Sequence, residues 1–123
     1  AERFSPYYML AGSHGYTTGA GNICPHLTLA KHAAFTAGEY DEGMRYQAQI
    51  LPIEDYRQRD GDSYNISMLK HAMTAFGENW GDPRAPQRKL TEEEKREIDE
   101  LVKPILAAEK AIASELAESG LAT

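Results

Sequence analysis

The chain has 123 residues, with 13 Lys and Arg against 19 Asp and Glu, for a formal net charge of −6. That length accommodates one domain and not two. Seventeen residues are alanine, and Val102 is the only valine beside seven isoleucines. Central strands lean on β-branched residues, so a self-contained β protein and a complete α/β domain are both excluded, and a mostly α chain is predicted.

The acidic balance argues against nucleic acid, whose binding needs Lys and Arg to neutralise phosphates. No apolar run approaches the roughly 20 residues that span a bilayer. The opening AERFSPYYML lacks the basic-then-apolar layout of a signal peptide and has no initiator methionine, as expected of a processed, truncated or excised chain. The single Cys24 excludes an intramolecular disulfide and suits a reducing compartment. A soluble, cytoplasmic protein is the expectation.

Residues 4–11 (FSPYYMLA) read as the tail of a helix ending at Gly12. Glycines at 12, 15, 19 and 21 then enclose Tyr16, Thr17 and Thr18, a short β-prone stub. Pro25 opens a helix with Leu27, Ala30, Ala34 and Phe35 at helical spacing, stopped by Gly38. The next begins near Tyr40 with Met44, Ala48, Leu51 and Tyr56 on one face, kinked or restarted at Pro52. Residues 57–63 read as a polar loop, and Leu69, Met73 and Phe76 align on a helix from about Ile66 to Phe76. After an irregular GENWGDPRAPQRK, Thr91 and Glu94 form a capping-box pattern. Ile98, Leu101, Val102, Ile105 and Leu106 then mark an apolar stripe that Pro104 is expected to kink or split, with Ile112 and Leu116 continuing it.

Among chemistry-bearing residues, His14, Cys24, His26, His32 and His71 show neither C-x-x-C nor H-E-x-x-H spacing, and no metal site is predicted. Neither phosphate-binding glycine motif occurs, although the 19–25 turn does bring backbone N–H groups to a helix N-terminus, where an anion is favoured. Lys31 is expected on a wet helix face. Lys70 is expected to pack its stem while its ammonium reaches water or a carboxylate. The carboxylates Asp41/Glu42, Glu54/Asp55, Asp60/Asp62 and Glu92–Glu94 read as solvated faces or helix-dipole partners.

Gly15-Tyr-Thr-Thr-Gly-Ala-Gly-Asn22-Ile-Cys-Pro25 resembles the eighth strand and following turn of the dihydrodipicolinate synthase and N-acetylneuraminate lyase family, which carries G-x-x-S-x-x-A-N-x-x-P there. Ala37-Gly38-Glu39, the helix bearing Lys70, and Arg84-Ala-Pro86 followed by Leu90-Thr91 are similar to later family features, in the same order. The resemblance spans roughly residues 2–106. It implies the C-terminal part of a (β/α)8 barrel: residues 1–38 as a helix tail, strand 8 and helix 8, then residues 39–123 as a helical extension.

The implied activity is that of a class I lyase, an aldolase or dehydratase acting on 2-keto acids such as pyruvate, with no added cofactor. Its Schiff-base lysine would lie on a sixth strand outside this chain, so the chain alone is expected to be inactive. Ring-free 2-keto-3-deoxy-sugar-acid dehydratases are the subfamily it resembles most, beside dihydrodipicolinate synthase-like enzymes. Thr17 matches the eighth-strand residue whose backbone approaches pyruvate in the family, and Thr18 and Gly19 sit beside it at the barrel mouth. Asn22 is expected to cap the turn into the Pro25 helix. Tyr64-Asn65 and Thr17-Thr18 mimic other family motifs without their positions, and Lys70 is not the Schiff-base lysine. Implied partners are a small 2-keto acid, the N-terminal barrel segment and further copies in a homo-oligomer such as a homotetramer. Two rivals stand beside this reading. One is a non-catalytic helical interaction module, which predicts Phe4, Tyr7, Tyr8 and Leu10 buried within the chain; the other is an anion-binding domain built on the 19–25 turn.

Overall fold

A computed structural model describes residues 1–120; the last three residues of the expected 39–123 extension lie outside the described residues. A 3-10 turn at Glu2–Phe4 leads into α1 (Ser5–Leu10), and a second at Ala20–Asn22 precedes α2 (Pro25–Thr36). α3 (Tyr40–Arg57), the short α4 (Arg59–Asp62) and α5 (Asn65–Ala72) follow, with a 3-10 turn at Met73–Phe76 ending at Gly77, φ 77°. α6 (Glu92–Glu118) closes the described chain.

Three expectations on local structure change. No strand forms among the described residues, because Tyr16–Thr18 has no second strand to pair with, and β structure is made by the ladder and not by propensity alone. Of the alternatives at Pro52 and Pro104, a restart or split is excluded, since α3 and α6 run through both as continuous helices. The 57–63 loop contains a helical turn, α4, whose Asp60 and Gly61 adopt left-handed angles, as does Asp62 after them. The capping box of α6 forms as expected, with Thr91 Oγ1 accepting from Glu94 N and Glu94 Oε1 accepting from Thr91 N.

The core is made where α2, α3, α5 and α6 meet. Ile23, Leu27, Ile50, Ile53, Met68 and Ile98 are fully buried there, with Val102 and Ile105 completing the α6 stripe. α3 turns a different face inward from the one expected. Gly43, Gln47, Ile50, Ile53, Glu54 and Tyr56 are buried, whereas Met44 and Ala48 are exposed. Gly43 is required by close packing, since a Cβ there would meet the Phe35 ring at 2.8 Å. Phe76 likewise stays about half exposed.

Burial of Gln47 and Glu54 accompanies that rotation, and Gln47 serves a buried lysine of α2. Lys31, expected in water, is 0% exposed. Its ammonium donates to Glu2 Oε1, to Ser5 Oγ at 2.8 Å and to Gln47 Oε1 at 2.8 Å, so each of its three N–H groups has an acceptor. The Tyr16 ring lies 4.8 Å from Nζ, a cation–π contact. Gln47 Nε2 returns to Arg3 O at 2.9 Å, and Ser5 Oγ donates to Glu2 O at 2.8 Å. Burial pulls the lysine below its usual range, while the hydrogen bond and charge of Glu2 oppose that pull.

Removing one member of a buried pair leaves the other charge uncompensated. Lys31→Met should therefore lose about 3–5 kcal/mol of stability by urea unfolding, and Glu2→Gln in the same chain should recover part of it.

Candidate functional site

Thr17, Thr18 and Gly19 lie on the connection between α1 and α2. Thr17 is exposed; Thr18 and Gly19 are half-buried. The connection is held at its start by Tyr16, whose hydroxyl donates to Thr28 O at 3.1 Å and whose ring covers Lys31. Thr18 Oγ1 accepts from Gly21 N at 3.1 Å, and Gly19 O accepts from Asn22 N at 3.1 Å and Asn22 Nδ2 at 3.0 Å. Asn22 thus closes the turn that precedes α2 and does not cap α2 itself. Of the two threonine hydroxyls, that of Thr18 is engaged with backbone. Thr17 makes no side-chain hydrogen bond among the described residues and is the one presented outward. A shallow cleft of about 280 Å³ runs beside it, lined by Tyr16, Thr18, Leu29 and His32.

The helix N-terminus that follows is not open to an external anion. Glu109, from the far half of α6, is 8% exposed. Its Oε1 accepts from His26 N at 2.8 Å and its Oε2 from Leu27 N at 2.8 Å, with His26 Nδ1 2.7 Å from Oε1. A carboxylate within the chain therefore fills the anion position expected at the 19–25 turn. Cys24, at the N-cap of α2, feels the consequence. A helix N-terminus ordinarily lowers a thiol pKa, yet burial first and the Glu109 charge second push Cys24 up to about 12.

The remaining candidate lysine behaves differently from Lys31. Lys70 Nζ donates to Trp80 O at 3.1 Å and Asp82 O at 3.3 Å, pinning the irregular 77–90 connection through carbonyls where water or a carboxylate was expected. Among the described residues no three His, Cys, Asp or Glu side chains converge as metal ligands, and no helix is long and apolar enough to cross a membrane. Sequence reasoning passed over Glu109, Gln47 and Arg57. For Glu109 a signal existed: it falls at i+4 from Ile105 and i+7 from Val102, on the apolar stripe of α6.

Glu109→Ala strands two helix N–H groups and should cost about 2 kcal/mol by chemical unfolding, with Glu109→Gln costing less. The Cys24 thiol should resist a disulfide reagent at pH 8 in the folded chain and react at once in urea. Its folded pKa lies above the ordinary 9.0, so its stabilising contribution is full below pH 9 and is lost as pH climbs toward 12. Unfolding midpoints at pH 8 and pH 11, for the chain and for Cys24→Ala, check the sign.

Comparison with known proteins bears on this geometry. The model of the dihydrodipicolinate synthetase family matches residues 1–105. A probable 5-dehydro-4-deoxyglucarate dehydratase of Bacillus subtilis is 37% identical over 82 residues, covering 64% of this chain and 26% of that protein. A 4-hydroxy-tetrahydrodipicolinate synthase of Archaeoglobus fulgidus is 28% identical over 94 residues, 76% of this chain and 32% of its own length. The crystal structure of a dihydrodipicolinate synthase from Bacillus clausii superposes with a TM-score of 0.78 at 30% identity, covering 85% of this chain and 36% of that one. The chain spans about a third of the length of the relatives it matches. With the family model matching from the first residue to Ile105 in the apolar stripe of α6, the chain belongs to the dihydrodipicolinate synthetase family.

Proposed function

We propose that this chain is the C-terminal segment of a class I lyase, an aldolase or dehydratase that acts on a 2-keto acid through a lysine Schiff base supplied by an upstream barrel. In such chemistry the lysine imine draws electrons from the bond being broken, C–C in an aldolase and C–O in a dehydratase. Residues 1–38 would be a helix tail followed by the barrel's last strand and helix, and residues 39–123 its helical extension. This segment contributes one wall of the pocket, Thr17–Gly19, with the Thr17 hydroxyl facing substrate. A polar side chain there suits a hydroxylated sugar acid, in keeping with the sugar-acid dehydratase among the relatives. Homo-oligomeric assembly, as a tetramer, and a cytoplasmic site of action belong to the same reading.

The observation that carries it is the open face at the start of the chain. Phe4, Tyr7, Tyr8 and Leu10 are 49%, 61%, 49% and 60% exposed, beside residues 14–18, none of whose backbone N–H groups donates to another backbone group among the described residues. Apolar surface clustered in this way marks a site of association. Burial of those four side chains would have favoured the helical-module alternative, and their exposure weighs against it.

Borohydride treatment with pyruvate tests the reading in two arms. The 123-residue chain alone should gain no adduct by intact mass; a stable adduct overturns the assignment of its lysines as structural. A chimera in which this chain replaces the matching C-terminal segment of the Bacillus subtilis relative should melt cooperatively and trap pyruvate upstream of the graft. A chimera that fails to fold, or folds and traps nothing, counts against the proposal.

A further inference from the structure

We propose that Arg57 is a positioning residue for the Thr17–Gly19 wall, gripping it through a contact that only glycine permits at position 19; this rests on the reading of that wall as part of a keto-acid pocket. Gly19 has φ −74° and ψ −36°, angles open to any residue, so its conformation does not demand glycine. Space does. A Cβ at position 19 would lie 2.8 Å from Arg57 Nη1, 2.8 Å from Nη2 and 2.8 Å from Leu69 Cδ1. That is short by about 0.7 Å of the ~3.5 Å at which such atoms pack.

The guanidinium is not free to withdraw. Nη1 donates to the buried Glu54 Oε1 at 2.6 Å, Nε to Asn65 O at 3.1 Å, and Nη2 to Asn65 Oδ1. Three of its five N–H groups are therefore fixed by two elements, the last turns of α3 and the first residue of α5. Leu69, one turn further along α5 and 8% exposed, braces the other side. The result is a platform pressed against the backbone of Gly19.

Gly19 in turn holds both nitrogens of Asn22 on its carbonyl, and Thr18 holds Gly21. A shift at Gly19 is passed to its neighbours, and Thr17 is two residues away. The helical extension thereby sets the position of the pocket wall without touching substrate. Misplacing a binding group by about 1 Å can cost as much as ~100-fold in rate, so effects of tenfold are within reach of this contact.

The experiment uses the chimera described above, titrating pyruvate in the borohydride reaction. Arg57→Gln and Gly19→Ala should each raise the half-saturating pyruvate concentration about tenfold while the plateau of trapped protein is unchanged, and Arg57→Lys should raise it less. Combining Gly19→Ala with Arg57→Ala should be no worse than the worse of those two single variants, because both disturb one contact. A purely structural arginine would instead lower the melting temperature and leave half-saturation where it was. A folded parent chimera that traps nothing sinks the keto-acid reading, and the role of Arg57 with it. A parent that traps pyruvate, with unchanged half-saturation in Arg57→Gln, overturns the positioning role alone. Should Arg57→Gln fail to fold, unchanged half-saturation in Gly19→Ala overturns it equally.

Discussion

One ammonium group, that of Lys31, fixes how the beginning of the chain sits on the rest. Withdrawn from water, it needs three acceptors, and it takes them from Glu2, from Ser5 at the head of α1, and from Gln47 on α3. This arrangement gives each of the three N–H groups an acceptor, so the approach of α1 to α2 and α3 is set by hydrogen-bond direction as well as by burial. Buried ion pairs contribute little net stability against an apolar alternative of the same shape; what this one supplies is a unique geometry. The Tyr16 ring closes over the same ammonium, and Tyr16 immediately precedes the Thr17–Gly19 segment. Its hydroxyl is held up in pKa, first by burial and then by the charge of Glu2. The 16–19 segment is therefore flanked by Lys31 under the Tyr16 ring and by the Arg57 guanidinium packed against Gly19, with Thr17 exposed between them.

The same logic of internal partners governs the helix that follows. An unoccupied N-terminus of α2 would present its first N–H groups to any passing anion. Here a glutamate more than eighty residues later in sequence takes two of them. The far half of α6 is thus docked by charge-assisted hydrogen bonds as well as by its apolar stripe. The family match ends at residue 105, before Glu109, so this clasp lies in the part of α6 outside the matched residues.

Elements with strong local signals were legible in the sequence. The α6 capping box, the start of α2 at Pro25 and the stop at Gly77 follow from local chemistry, and each stands where expected. What escaped were long-range polar pairings. Lys31 sits at i+4 from Leu27 and three residues before Ala34, on the buried stripe of α2. Glu109 continues the stripe of α6, and Gln47 and Glu54 fall on that of α3. A charged residue in a core register reads as solvated until its partner is known; the partners of Lys31 and Glu109 lie between 16 and 83 residues away, whereas Glu54 pairs with Arg57 one turn on. The rotation of α3 has the same origin, since burying Gln47 and Glu54 displaces Met44 and Ala48 outward. The Gly19 contact was hidden for a different reason. A sequence marks where a glycine stands without saying whether conformation or space requires it.

Among the described residues, no backbone N–H from His14 to Thr18 donates to another backbone group. Segments of this kind cannot be sealed from water unless both of their edges acquire partners. The exposed aromatic side chains of α1 precede that segment, and Leu29 of α2 lies beside it. A closed barrel answers both demands at once, because it gives every strand two neighbours and lays its helices over the outside. An added helix would cover the aromatic side chains and leave the backbone edges open; a single added strand would pair one edge and leave the other. Under the proposed reading, the β-prone Tyr16–Thr18 stub is thus a strand whose hydrogen-bonding partners and apolar cover both lie upstream, and the scarcity of valine in this chain reflects where in the barrel it lies.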